Sequence, residues 1–395
     1  MKWVSAFSYL PINYNMSLAK IKNQTQRVIF DNNLNGEKIR LRFSNRYAKR
    51  PLVLQKVSIG MVEDGQVQNV SMVSLNGSTV VTLAPGEECW SDVIDFLVIS
   101  GKKIAVSIYV KEQQEIESVC ILWSKLGLVV TNGMNGDFTN GEEFADIPAE
   151  EIYAVVREDI NKGMCFYGFS GVQVYTEDCV KTVAAFGDSI THMSYVTNAL
   201  MRRLYDAYPG QVTLINRGIG GNRLLHDATY VEGIPGKGSL FGEAGIRRFE
   251  QDVFGEGDVD VVIVLEGIND IMHPVQFEHP EETITSENLE NGYKKIIKIA
   301  RKHCAKIFGA TITPCGNKDY PDKWLAGFDA IRSAVNDRIR NGVGYDGYFD
   351  YEEAVRDEKY QGYIKEGYHI GDGLHPNDAG GAVMASKVDL IKIME

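Results

Sequence analysis

Apolar and polar positions follow two rhythms along this chain. Up to about residue 176 they alternate in short runs. Lys38-Ile39-Arg40-Leu41-Arg42-Phe43 sends every second side chain to one face, and residues 104–110 set Ile104, Val106, Ile108 and Val110 against Ala105, Ser107 and Tyr109. Further strand-like runs at 27–30, 52–61, 79–83, 93–98, 119–123 and 153–157 are separated by turn-forming clusters such as Asn32-Asn33-Leu34-Asn35-Gly36, Pro85-Gly86 and Asn132-Gly133-Met134-Asn135-Gly136. Many short strands at this spacing predict an all-β sandwich of the jelly-roll kind.

From about residue 181 the runs lengthen and alternate with helical spacing. Strands are predicted at 183–186, 212–215, 259–265, 306–312 and 347–350, and helices near 195–208, 241–253, 287–303, 323–341 and 378–394. Five such units predict a parallel five-stranded sheet covered by helices on both faces, with ligands at the carboxyl ends of the strands. The polar stretch Thr176-Glu177-Asp178-Cys179 lies at the switch. Two domains are therefore expected, a β-sandwich over 1–178 and an α/β domain over 179–395.

Composition narrows the partners. With 395 residues, 44% of them hydrophobic and 24% charged, each half can bury a core. A formal net charge of −12 argues against nucleic acid or an anionic membrane surface. Cys89, Cys120, Cys165, Cys179, Cys304 and Cys315 are scattered without Cys-x-x-Cys or Cys/His spacing, so they are expected to be reduced and mostly buried, with no metal site. No run approaches the roughly 18 apolar residues of a membrane span. The mildly apolar start breaks at Pro11-Ile12-Asn13 without a small-residue cleavage site, which gives the expectation of a cytoplasmic chain.

Chemistry-bearing residues gather at the predicted strand ends. The first run ends in Gly187-Asp188-Ser189, so Ser189 would open a helix, where free N–H groups favour developing negative charge. Asn216-Arg217-Gly218-Ile219-Gly220-Gly221-Asn222-Arg223 is a glycine-rich turn that lets backbone approach a ligand. Glu266-Gly267-Ile268-Asn269-Asp270 follows the third strand, and Asp372-Gly373-Leu374-His375 precedes the last helix. Acyl transfer by serine needs a base, a group that orients the base, and donors aimed at the oxyanion. Here Ser189 is the candidate nucleophile, His375 the base and Asp372 the group that orients it. The amides of Ser189 and Gly221 and the side chain of Asn269 are the candidate donors. Each of these residues taken singly has a plain structural reading as a helix cap or turn residue, and the functional reading comes from their order.

Those four blocks resemble the SGNH hydrolase superfamily, also called GDSL esterases and lipases. The resemblance covers 181–395 and implies a three-layer α/β/α domain of flavodoxin-like kind and a Ser-His-Asp triad that uses no cofactor and no metal. A narrower resemblance, through Leu41-Arg42-Phe43-Ser44-Asn45, Gly220 to Leu225 and Leu265 to Ile271, is to two-domain proteins grouped with bacterial acetylxylan esterases. It implies removal of small acyl groups, most simply acetyl, from an acylated oligosaccharide or other small ester. The sequence departs from many relatives at Thr191-His192-Met193, so His192 is a candidate pocket residue, together with Arg223 and Glu266.

Other readings predict other features. A longer-chain lipase would show an apolar acyl groove, and a non-catalytic carbohydrate-binding protein would work through its β-domain alone. An α/β-hydrolase would carry a Gly-x-Ser-x-Gly elbow, which Ser189 lacks. Trp90, Trp123 and Trp324 are candidate sugar-stacking residues, although burial in the core is the plainer role for each. His226, His273, His279, His303 and His369 show no ligand spacing.

Overall fold

A computed structural model describes residues 1–157, 162–316 and 322–395, the side chains of 157 and 322–326 excepted. The chain divides into two compact units, 1–180 with 204–215, and 181–203 with 216–395.

The first unit is built from antiparallel sheets. One carries the strands Lys2–Ser8, Gly168–Thr176, Gly36–Ser44 and Ile94–Val98 in that order, with Glu88–Trp90 also paired to Gly36–Ser44. The other runs Leu128–Met134, Gln24–Asp31, Lys103–Val110, Lys56–Glu63, Gln66–Met72. They meet where Phe7 stacks on Phe30 at 4.5 Å between ring centres. The alternation read at Lys38–Phe43 supplies this core, because Ile39, Leu41 and Phe43 are all fully buried. The strand at 103–110 is buried on both faces. On its Ser107 side, Arg27 donates from Nε to Ser107 Oγ at 2.8 Å and from Nη1 to the Glu142 carbonyl at 3.0 Å, and it also bonds the Phe138 carbonyl. A loop thus covers a sheet face that the sequence marks only as small and polar.

Four strands of a parallel five-stranded sheet lie wholly in the second unit, and its edge strand Val212–Gly218 is divided between the units at residue 215. The strand order is Val212–Gly218, Lys181–Gly187, Val261–Leu265, Lys306–Ala310, Gly347–Phe349. This is a doubly wound three-layer arrangement with the first two strands exchanged relative to the chain. Register sets Val183 opposite Val261 and Gly187 opposite Leu265, so two of the four blocks leave the sheet side by side. The third follows the neighbouring strand Val212–Gly218. Among the described residues no helix is long and apolar enough to cross a membrane.

Several local expectations are corrected. The run at 153–157 is not a strand: Ala154–Arg157 is a helical turn, separated by the extended residue Tyr153 from the turn Ala149–Ile152 that follows Pro148. Four or five apolar residues carry no usable period. The run at 52–61 is two strands, with Leu52–Leu54 paired to Val81–Leu83 and Lys56–Glu63 to Lys103–Val110. The expected turn at 132–136 is largely strand, since Leu128–Met134 pairs with Gln24–Asp31 and buried Asn132 takes Asp146 as acceptor for its N–H. The last helix breaks into Asp378–Ser386 and Leu390–Met394, where Asp389 caps the second piece. Three cysteines, Cys120, Cys165 and Cys315, are buried, whereas Cys179 and Cys304 are exposed; all six are free thiols. Trp90 and Trp123 are half-buried, and the side chain of Trp324 lies outside the described residues.

Phe7 is 5% exposed and touches rings from both sheets. Truncating it leaves a cavity that the sandwich cannot collapse, so Phe7→Ala should lower stability by about 3–5 kcal/mol in urea titration. A loss below about 1 kcal/mol would contradict this account of the core.

Candidate active site

The strand Lys181–Gly187 ends in a turn with no spare room. A Cβ on Gly187 would overlap Thr191 Oγ1 and the Leu265 carbonyl. Asp188 then caps the helical turn Ser189–His192, accepting from the Ile190 N–H at 2.9 Å, and Ser189 is the first helical residue. Its N–H is one of the donors that a helix start leaves without an intrahelical acceptor.

His375 reaches the same point from the other end of the chain. Its Nε2 lies 2.8 Å from Ser189 Oγ and its Nδ1 lies 2.6 Å from Asp372 Oδ2. The other Asp372 oxygen accepts the N–H groups of Leu374 at 3.0 Å and His375 at 2.9 Å, so the carboxylate is locked by its own turn. Burial raises its pKa, but the bond and charge of His375 and the two amides outweigh burial and hold it at about 2. An ionised Asp372 accepts Nδ1–H, which leaves Nε2 free to accept the serine proton.

The glycine turn and Asn269 lie beside them. Gly221 has φ +71°, and a Cβ there would overlap the Phe241 ring. The Gly220 N–H donates to His192 Nδ1 at 3.0 Å. A Cβ on Gly220 would sit 4.0 Å from the Ser189 Cβ. Asn269, 6% exposed at the start of the helix Ile268–Gln276, donates from Nδ2 to the Asn222 carbonyl at 2.9 Å. An amide nitrogen carries two hydrogens, so one remains for another acceptor.

Residues 185–383, just over half of the chain, match the GDSL-like Lipase/Acylhydrolase family. The chain belongs to that family. A search of curated proteins finds no match. Among solved structures, the acylhydrolase is similar to LAE5, an alpha/beta hydrolase enzyme from the metagenome of Lake Arreo, Spain, at 21% identity and TM-score 0.40, covering 52% of this chain and 92% of that one. It is also similar to the acetyl xylan esterase AlAXEase, at 21% identity and TM-score 0.39, covering 52% and 96%. A third is the acetyl xylan esterase Axe2 from Geobacillus stearothermophilus, at 17% identity and TM-score 0.39, covering 54% and 94%.

Three residues read as substrate contacts take different positions in this acylhydrolase. Glu266 is fully buried, with neither carboxyl oxygen hydrogen-bonded. Arg223 is 2% exposed, paired with Glu282 and bonded to the Asp227 carbonyl, so its charge is already matched by an acid. His192 is 4% exposed and accepts from the glycine turn. The sequence reading gave Arg248 and Asn222 no role, yet both are buried between the blocks and bonded to each other at 2.7 Å. Asn222 stands next to Gly221, and Arg248 lies on the helix Gly245–Phe254, far in sequence from all four blocks.

Beneath the site lie three carboxyls whose charge is disfavoured. Burial pushes Asp188 up to about 7 and Asp270 up to about 6, the latter although it accepts the Leu224 and Leu225 amides, and it drives Glu266 well above the carboxylate range. A carboxyl that holds its proton more tightly folded than unfolded stabilises fully below the unfolded value, about 4, and loses that contribution as pH rises through its folded value. The urea midpoint should therefore fall between pH 5 and pH 8. Glu266→Gln, which cannot ionise, should shrink that fall, whereas an unchanged fall would show that Glu266 is already charged in the folded protein.

Proposed function

We propose that this acylhydrolase is a serine esterase that removes small acyl groups, acetyl in particular, from carbohydrates. The observation that carries the reading is the chain of two hydrogen bonds from Ser189 Oγ through His375 to Asp372, at 2.8 and 2.6 Å. Ser189 Oγ bonds to the ester carbonyl carbon while its proton passes to His375 Nε2, and Asp372 steadies the resulting imidazolium. The tetrahedral oxyanion is held by the amides of Ser189 and Gly221 and by the second Asn269 N–H. Collapse expels the sugar hydroxyl, which takes the proton from His375. Water then attacks the acyl-enzyme, gives a proton to the same nitrogen, and releases the acid and Ser189. Each step is proton transfer and acyl transfer within the named residues.

The carbohydrate and acetyl parts of the reading draw on the likeness of residues 41–45, 220–225 and 265–271 to two-domain acetylxylan esterases. Binding of an acylated oligosaccharide, and the division of labour between the β-domain of 1–178 and the hydrolase domain of 179–395, belong to the same proposal.

Kinetics test both halves. Ser189→Ala should lower kcat at least about 10³-fold and Asp372→Asn about 10⁴-fold, the latter by releasing the imidazole to the wrong tautomer. Unchanged hydrolysis by Ser189→Ala would sink the mechanism. For the substrate, p-nitrophenyl acetate should outpace the butyryl and octanoyl esters, with serine-dependent acetate release from acetylated xylo-oligosaccharides. Preference for octanoyl together with silence on the sugars would mark a longer-chain lipase instead.

A further inference from the structure

We propose that Arg248, which lies outside the four blocks, is the positioning residue of the oxyanion site: it ties the glycine turn to the nucleophile strand and, through Asn222, fixes which way the Asn269 amide faces. The proposal rests on the reading of Asn269 as an oxyanion donor.

The guanidinium is 4% exposed and makes bonds in three directions. Nη2 donates to the Gly187 carbonyl at 2.9 Å, two residues before Ser189. Nη1 donates to the Arg217 carbonyl at 2.9 Å, at the end of the neighbouring strand, and to Asp252 Oδ2 at 3.1 Å. Nε donates to Asn222 Oδ1 at 2.7 Å, one residue beyond Gly221. Its plane lies over the Phe186 ring at 4.0 Å. A planar fork of five donors can hold strand end, strand end and turn at once, which a lysine ammonium cannot reproduce.

Asn222 passes the constraint on. It is wholly buried, and its Nδ2 donates to the carbonyls of Phe241 at 2.6 Å and Glu243 at 2.8 Å, so every polar atom of its side chain is fixed. With the side chain held, its carbonyl is held too, and that carbonyl takes one hydrogen of the Asn269 amide at 2.9 Å. A flipped Asn269 would set two oxygens against each other. The nitrogen is thereby turned toward Asn222 and its second hydrogen kept as a donor. Glu266 Oε2 stands 3.8 Å from Nη2. Asp252 Oδ2, 3.1 Å from Nη1, is the nearer carboxyl, and burial disfavours charge on Glu266.

A double-mutant cycle separates positioning from plain support of the helix Gly245–Phe254. Arg248→Gln and Asn222→Ala should each lower kcat on p-nitrophenyl acetate about 10–100-fold with KM within about threefold, because the lost interaction serves the transition state. In an Asn269→Ala background Asn222→Ala should cost less than about threefold more, since the amide being positioned is gone, and Arg248→Gln should cost clearly less than its loss in the unaltered protein, keeping only the part carried by its bonds to Gly187 and Arg217. If the losses multiply in full, or if kcat of the single variants is unchanged, the proposal is overturned. Should Arg248→Gln fail to fold, the Asn222→Ala cycle decides alone, because it leaves the bonds of Arg248 to Gly187, Arg217 and Asp252 in place. Asn269→Ala with undiminished kcat would overturn the oxyanion reading, and this proposal with it; a lowered kcat with multiplying losses would overturn this proposal only.

Discussion

The site depends on one close approach. Gly187 ends its strand against the Leu265 carbonyl, in a space that no side chain can enter. That contact lets two blocks emerge from adjacent strands with Ser189 at the head of a helical turn. Any bulk there would lever the serine away from His375, and a 1 Å misplacement in such a relay can cost about a hundredfold in rate. The parallel register and the glycine are thus two halves of one constraint.

Around that point, polar groups fall into two kinds. Those on the reaction side, Asp372 above all, are partly exposed and charged, and a turn of amides holds the carboxylate ready for the imidazole. Those beneath, Asp188, Glu266 and Asp270, are buried deeply enough that burial is the largest influence on each. Burial disfavours negative charge on all three, and Glu266 stands beside the guanidinium of Arg248. Carboxyls whose charge is disfavoured oppose developing negative charge nearby less than fully ionised ones would.

The sequence made the large features legible for physical reasons. Five apolar runs separated by helical spacing can be little other than a parallel sheet, and four blocks at strand ends converge because such sheets gather their carboxyl ends. Ser189, His375 and Asp372 come together because the topology demands it, although 186 positions separate Ser189 from His375. What escaped was set by tertiary contact. Asn132 reads as a turn residue and is strand because Asp146 satisfies its amide. Residues 153–157 read as strand and are helix because a short apolar run has no period of its own. Glu266 reads as a pocket acid and is buried, since strand-end position alone does not say on which side of the layer a side chain falls. Arg248 could not be singled out, because an arginine on a helix is ordinarily a solvated cation and only the fold reveals what its fork spans.

The central claim is that Ser189 is the nucleophile, activated by His375. Its most direct test is mass spectrometry of the intact protein after treatment with a fluorophosphonate, followed by peptide mapping. The account predicts one adduct, on the peptide containing Ser189, that forms far more slowly when His375 is replaced by alanine. An adduct on another residue, or labelling at the same rate without the imidazole, would contradict it.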